Sequence, residues 1–299
     1  MATPMIPPTT LPPKDLVTGH PRGGAKARER VGQAFLHLGL IIIACLTLIP
    51  IMNMLTMSLK DNGQIYARFW ALPNPARWQN YVAGFRAMWG YIANSLIVSI
   101  SSMFGVVILA SISGYVFARH RFPGRDTLYI VVISLMMIPG MMTLFPSFML
   151  MNDFGLLDTR WALILPWMSG GQVFGILICR GYFAGLPQEL FEAAKMDGAQ
   201  EFELFLRIAV PLSWPIMVTL AIMNLVGTYN DFLWPLLTIS SPSKQVVSVG
   251  LREFTSQHGI TDWGPRMAAY TVATIPLLLL FLFGMRYYIQ GVTSGAIKA

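Results

Sequence analysis

Six stretches of this chain stay apolar for long enough to cross a lipid bilayer, and nothing else in the sequence constrains the fold as strongly. A crossing takes roughly 20 helical residues. Gln33–Met57, Tyr91–Ala118, Thr127–Met151, Trp161–Cys179, Leu212–Ile239 and Met267–Ile289 each supply a run of that order. Composition agrees, since 55% of the 299 residues are hydrophobic and 12% are charged. An ordinary soluble domain carries about a quarter charged residues, so these few cannot clothe a soluble surface of this size. Prolines fall within the runs, at Pro50, Pro139, Pro146, Pro166, Pro215, Pro235 and Pro276. Membrane helices tolerate them because neighbouring groups satisfy the freed carbonyls. The second run is rich in small residues: Ser99, Ser101, Ser102, Gly105, Ala110, Ser113 and Gly114. Small residues let helix backbones approach closely, which places this helix inside the bundle. The expected fold class is therefore an all-α membrane protein of six transmembrane helices.

The formal net charge of +7 does not point to nucleic acid, because the basic residues form no patch with interleaved aromatics. They lie between the apolar runs, where membrane proteins carry topology signals. Six crossings put both ends of the chain on one side. With that side cytoplasmic, Lys14, Arg22, Lys26, Arg28, Arg30, Arg119, Arg121, Arg125, Arg180, Lys195, Arg207, Arg286 and Lys298 are inside, 13 basic residues against 8 outside. The bias favours cytoplasmic termini. Residues 1–32, Pro-rich and basic, are expected as a flexible tail. Residues 33–290 are expected as the membrane domain, with its core at 87–285, and 291–299 as a second cytoplasmic tail. Two sizeable external segments follow from this topology. Lys60–Gly90 holds Tyr66, Trp70, Trp78, Tyr81 and Trp89, and Ser240–Pro265 holds Phe254 and Trp263. These aromatics suit either an interfacial belt or the docking of an external partner.

Enzyme chemistry finds no purchase in the sequence. Cys45 and Cys179 lie in apolar runs and are read as small buried hydrophobes. His20, His37, His120 and His258 are scattered, with no metal-ligand spacing and no nucleophile beside them. Met136, Met137, Met141 and Met142 suit adaptable packing better than a thioether metal site. No Gly-x-x-x-x-Gly-Lys-Ser/Thr phosphate loop occurs. No catalytic residue, metal or cofactor is expected in this chain. One acidic residue, Asp231, falls well inside an apolar run, where an ionisable group is costly and marks a cavity or a partner. Asn94, Asn224 and Asn230 are polar at similar locations. Lining of a pathway and interhelical hydrogen bonding both remain open for these four.

The loop at 186–211 is unlike the others and holds five of the fourteen acidic residues. Pro187 suits the first position of a helix and Glu189 its positive end. Gly198 supplies a left-handed stop. The product is a short helix of about three turns lying outside the membrane. Ala194 and Gly198, four apart, share a face that leaves room for a partner, flanked by Glu192. A second helix, Gln200 to Ile208, then leads to Pro211.

Within this loop, Glu-Ala-Ala, three residues, Gly, nine residues, Ile, one residue, a branched apolar residue and Pro resembles the EAA loop of membrane subunits of binding-protein-dependent ABC importers. The pattern falls on Glu192, Ala193, Ala194, Gly198, Ile208 and Pro211, with Asp197 beside the glycine and Val210 where leucine is more usual. Asn94-Ser95-Leu96-Ile97-Val98-Ser99 opens the second span as in the carbohydrate-uptake class of these importers. Asn230-Asp231-Phe232-Leu233 is similar to that class's Trp-Asn-Glu-Phe segment, with Tyr229 in place of the tryptophan. The tail from Arg286 to Lys298 resembles the end of the second membrane subunit of maltose-type importers. The resemblance spans Gln33 to Lys298. It implies a type I ABC importer permease fold in the inner membrane of a bacterium or archaeon, with a cytoplasmic coupling helix. Glu192, Ala193, Ala194, Asp197, Gly198, Ile208 and Pro211 would make the ATPase contact. The implied partners are a second homologous membrane subunit, two ATPase subunits that hold ATP and Mg, and an extracytoplasmic solute-binding protein. The solute would be a sugar or oligosaccharide. The loop does not discriminate that solute from glycerol phosphate or an acidic oligosaccharide. A cation-coupled secondary transporter would show paired halves with broken helices in corresponding places. An intramembrane enzyme would need a nucleophile with its base.

Overall fold

A computed structural model of the chain describes residues 23–256 and 262–296, and among these every regular element is helical. The described residues divide, between Asn53 and Met54 within the first helix, into two compact units. In the first, helix α1 (Gly23–Ser58) begins inside the segment expected as a tail, whose residues 1–22 lie outside the described ones. Its apolar side chains, Phe35, Ile41, Ile43 and Leu46 among them, are exposed, as on a helix solvated by hydrocarbon.

The second unit opens with a short helix, α2 (Asn62–Ala67), capped by the Asp61 carboxylate on the Gln64 N–H. Helix α3 (Gln79–Arg119) then runs for 41 residues. It starts well before the expected Tyr91 and takes up part of the segment expected as an external loop. Two contacts hold this extra length. The Asn80 amide donates to the Ser58 and Lys60 carbonyls, and Gly84 passes so close to the backbone of Ala269 that a Cβ would lie 2.8 Å from its nitrogen.

The third span is broken. Helix α4 (Arg125–Ser134) and a 3-10 turn at Leu135–Met137 meet helix α5 (Gly140–Asp153) at an angle of 99°. Pro139, with no N–H to continue the ladder, stands at the break. Helix α6 (Trp161–Ala184) is the fourth span. Helix α7 (Gln188–Met196) and helix α8 (Glu201–Leu204) follow outside the long helices. A π turn at Phe205–Ala209 leads into α9 (Val210–Leu212). Pro211 has no N–H for the Arg207 carbonyl, and the Val210 N–H reaches back five residues to Phe205. The chain bends by 76° at Ser213 into helix α10 (Trp214–Asn230). Helix α11 (Leu233–Thr238), a 3-10 turn at Pro242–Lys244 and helix α12 (Val247–Ser256) precede the last helix, α13 (Trp263–Ala296). Residues 291–296, expected as tail, belong to α13, and 297–299 lie outside the described residues.

Among the described residues four helices are long and apolar enough to cross a membrane, and up to six spans result when each bent pair counts as one. The fifth span corrects an expectation. Leu212–Ile239 is not one helix, because α10 ends at Asn230 and Asp231 is extended (φ −64°, ψ 127°). In a continuous helix residue 235 would donate to the Asp231 carbonyl, and Pro235 has nothing to donate. The Ser248 hydroxyl donates to that carbonyl instead, at 2.6 Å.

Helix α3 lies at the centre, packed against α6, α10 and α13. Its small residues do the work expected of them. Gly114 lies against Cys179, and Ala110 faces Gly175 of α6. The described core gathers in three clusters, of which one, around Tyr115, Phe183, Phe191 and Phe205, sits at the end of the bundle that carries α7.

Candidate functional site

Helix α7 begins one residue later than expected, with Pro187 as its N-cap and Gln188 as its first helical residue. At the other end Gly198 takes φ +85°, its N–H donates to the Lys195 carbonyl and the Ala199 N–H donates to the Ala194 carbonyl. That pair of bonds is the Schellman arrangement, which needs a residue free to be left-handed. The following helix starts with a capping box, the Gln200 and Glu203 side chains each bonding the other's backbone.

The inner face of α7 is seated on the bundle. Phe191 is buried at 4% exposure, and the Tyr115 ring lies 5.2–6.4 Å, centroid to centroid, from those of Phe183, Phe191 and Phe205. Aromatic pairs at such distances add to the area they bury. Arg119, the last residue of α3, ties the seat. One of its terminal nitrogens donates to Gln188 Oε1 at 2.8 Å, the other to the Leu186 carbonyl at 2.6 Å, and its guanidinium carbon stands 4.1 Å from the Phe191 ring centroid. Beside it, Lys195 pairs with Glu201 at 2.6 Å, and His120 stands 3.5 Å from the same carboxylate. Sequence reasoning used Arg119 only as a topology signal; a contact between residues 67 to 69 positions apart leaves no local trace.

The outer face of α7 is free. Glu189, Ala193, Met196 and Asp197 recur at helical spacing and are exposed, flanked by exposed Leu190 and Glu192. Met196 is 84% exposed, and Phe202 and Leu206 are exposed beyond it. Ala194 departs from expectation. It turns inward and packs with Ile208 against the aromatic cluster, because it lies three residues from Phe191 on the same side of the helix. The small outward residue is Ala193. Gly198 is exposed with open space around it, and Pro211 is exposed where the chain turns toward α10.

The four polar residues of the apolar runs divide. Asn94 is buried and spent on structure: its amide donates to the Ser243 and Gln245 carbonyls at 2.8 and 3.0 Å, and its oxygen accepts from Arg160 at 3.0 Å. These bonds fit the interhelical reading of Asn94, and it is not among the residues that line the groove described next. Asn224, Asn230 and Asp231 do come together. With Trp167, Met223, Gly227 and Thr228 they line an open groove of about 480 Å³. Trp167 donates its indole N–H to Asp231 Oδ2 at 2.8 Å, and the Trp234 N–H points at Oδ1 from 3.4 Å. Trp167 was not singled out from the sequence, since an aromatic in an apolar run is indistinguishable from packing.

At the end opposite α7, Asp158 joins two loops. It accepts from the Ser240 and Ser241 amides and the Ser241 hydroxyl, and pairs with Lys244 at 3.0 Å. These donors, Ser241 foremost, hold its carboxyl well below the usual carboxylate range.

Comparison with known proteins gives these features a setting. Residues 106–294 match the family described as binding-protein-dependent transport system inner membrane component. The diacetylchitobiose uptake system permease protein NgcG of Streptomyces coelicolor is 31% identical over 92% of this chain and 92% of its own length. The trehalose/maltose transport system permease protein MalG of Thermococcus litoralis is 29% identical over 90% of this chain and 98% of its own. Among solved structures, a chain of a bacterial ABC transporter that imports the acidic polysaccharide alginate superposes with a TM-score of 0.75 at 20% identity, covering 87% of this chain and 98% of that one. The matched segment takes in α7, the π turn and the groove alike. The chain belongs to the family of binding-protein-dependent transport system inner membrane components, as a multi-pass ABC importer permease of type I fold.

Proposed function

We propose that this permease imports a sugar or oligosaccharide across the cytoplasmic membrane, and that α7 is where it is driven. The observation that carries the reading is the two-sidedness of α7. Its inner face is bonded and stacked onto α3, while Glu192, Ala193, Met196 and Asp197 stand free on its outer face. A helix so placed is a handle, since whatever moves its outer face moves the end of a 41-residue span. The loop 186–211 fits a groove on a partner ATPase, through Glu192, Ala193, Asp197 and Gly198, with Ala194, Ile208 and Pro211 giving the handle its shape.

ATP and Mg reside in the ATPase pair, and this chain's own part is mechanical. Drawing the ATPases together shifts α7, and the spans joined to it rock as rigid units between an inward-facing and an outward-facing arrangement. The π turn and the bend at Ser213 lie between the handle and α10, so the motion has a place to be absorbed. ATP and the loaded binding protein bias this equilibrium only through different affinity for the two forms. A second, homologous membrane subunit completes the pathway, and both termini lie in the cytoplasm with α7. The excess of basic residues on that side supports this orientation. The choice of a sugar is supported by these relatives, which are named for disaccharide uptake or transport.

Bulky substitutions on the free face test the reading without disturbing the bundle, because those side chains touch nothing in this chain's core. Ala193→Trp and Glu192→Trp are expected to reach the membrane normally and to lose both co-purifying ATPase and ATP-driven uptake. Full uptake with full ATPase retention in both variants would rule the handle out.

A further inference from the structure

We propose, building on the reading of this chain as a sugar permease, that the groove at Trp167 and Asp231 takes an uncharged glycan and turns acidic ones away. A glycan is held by two kinds of contact, its C–H faces against aromatic rings and its hydroxyls on amides and carboxylates. The groove offers both. Trp167 supplies the ring, fixed in place by its 2.8 Å bond to Asp231, while Asn224 and the side-chain oxygen of Asn230 supply polar groups; the Thr228 hydroxyl and the Asn230 amide are spent on carbonyls of α10. A rigid aromatic wall with a few oriented polar groups is the usual build of a small-molecule site.

The electrostatics of the same wall set the class of glycan. The lining described holds one carboxylate and no lysine, arginine or histidine. Helix α10, 17 residues long, also ends beside the groove, at Asn230, so the negative end of its dipole lies at the groove's edge. Sites for sugar carboxylates or phosphates need the reverse: guanidinium groups, ammonium groups or a helix N-terminus. Asp231 therefore has two roles. It positions the Trp167 indole, and with the α10 terminus it gives the wall a negative potential that repels a uronate. The alginate importer with the same fold carries an acidic polysaccharide, so the fold itself does not impose this selectivity.

The experiment uses the whole importer, with its second membrane subunit, ATPases and binding protein, in proteoliposomes. Radiolabelled short malto-, chito- and xylo-oligosaccharides are compared with short oligogalacturonates and oligomannuronates. ATP-driven uptake is expected among the neutral set and absent from the acidic set. For the imported glycan, Trp167→Ala is expected to lower uptake about tenfold and Trp167→Tyr to recover most of it. Co-purification of the ATPases with each variant verifies folding. Uptake of an oligouronate by the wild-type importer overturns the proposal and leaves the permease reading standing, as does wild-type uptake by Trp167→Ala. Absence of ATP-driven uptake of any glycan overturns both.

Discussion

The α7 end of the bundle and the groove around Asp231 are built on opposite plans. At the α7 end, Tyr115, Phe183, Phe191 and Phe205 close on one another, and Arg119 stitches α7 to α3. Around Asp231 the helix stops early, the wall carries a few polar groups and the space is open. A part that transmits force must not yield, and closely packed interiors have low compressibility. A part that passes a solute must leave room and make only sparse contacts. On the proposed reading, the chain places stiffness where it would meet its motor and space where it would meet its cargo.

The contrast can be broken most severely by hollowing the stiff end. Phe191→Ala removes a ring from the aromatic cluster and from Arg119, and is expected to cost about 3 kcal/mol. Protease accessibility of the 186–211 loop in membranes checks this. An unchanged digestion rate would mean that the cluster does not hold the loop. A smaller effect is expected from Gly198→Ala. No neighbour would meet the new methyl, so only the left-handed backbone is penalised, by about 1 kcal/mol. The variant should retain ATPase binding with a modest rise in loop hydrogen exchange. A complete loss of coupling would show that the ATPase contact at this position has no room for even a methyl group.

The smallest effect is expected at the end opposite α7, from pH. The Asp158 carboxyl is held below its ordinary value, so the folded state binds that proton more weakly than the unfolded chain does. Its contribution is fully present above the ordinary carboxylate pKa of about 3.9 and fades as pH falls through the depressed one. The junction of the 154–160 and 239–246 segments should therefore keep its mobility, read by spin labels, from about pH 7 to about pH 5. Loosening within that window would contradict the bonding at Asp158.

Much of this architecture is written in apolar run length. Hydrocarbon demands uninterrupted apolar helices, and that demand is visible residue by residue from Gln33 onward. The turn at Gly198 and the start near Pro187 are equally legible, because caps are local chemistry. What the sequence hid is what depends on distant neighbours. Hydropathy carried the fifth span through Asp231, although Pro235 already held the signal for a break four residues earlier. The start of α3 depends on Gly84 meeting Ala269, a contact across most of the chain. The side that Ala194 takes is hidden in the same way, since only the position of Phe191 against Tyr115 decides which face of α7 looks inward. Trp167 and Arg119 gained their roles from partners 64 and 67 to 69 residues away.

Arg119 offers the most direct test of the handle. The full importer is reconstituted with Arg119→Met, which keeps much of the side chain's bulk and removes its donors. Glycan imported per ATP hydrolysed is then measured at saturating binding protein. Loss of two charge-assisted hydrogen bonds is expected to lower that ratio about tenfold while the ATPases stay bound. A wild-type ratio in Arg119→Met would contradict the claim that α7 drives the spans through its seat on α3.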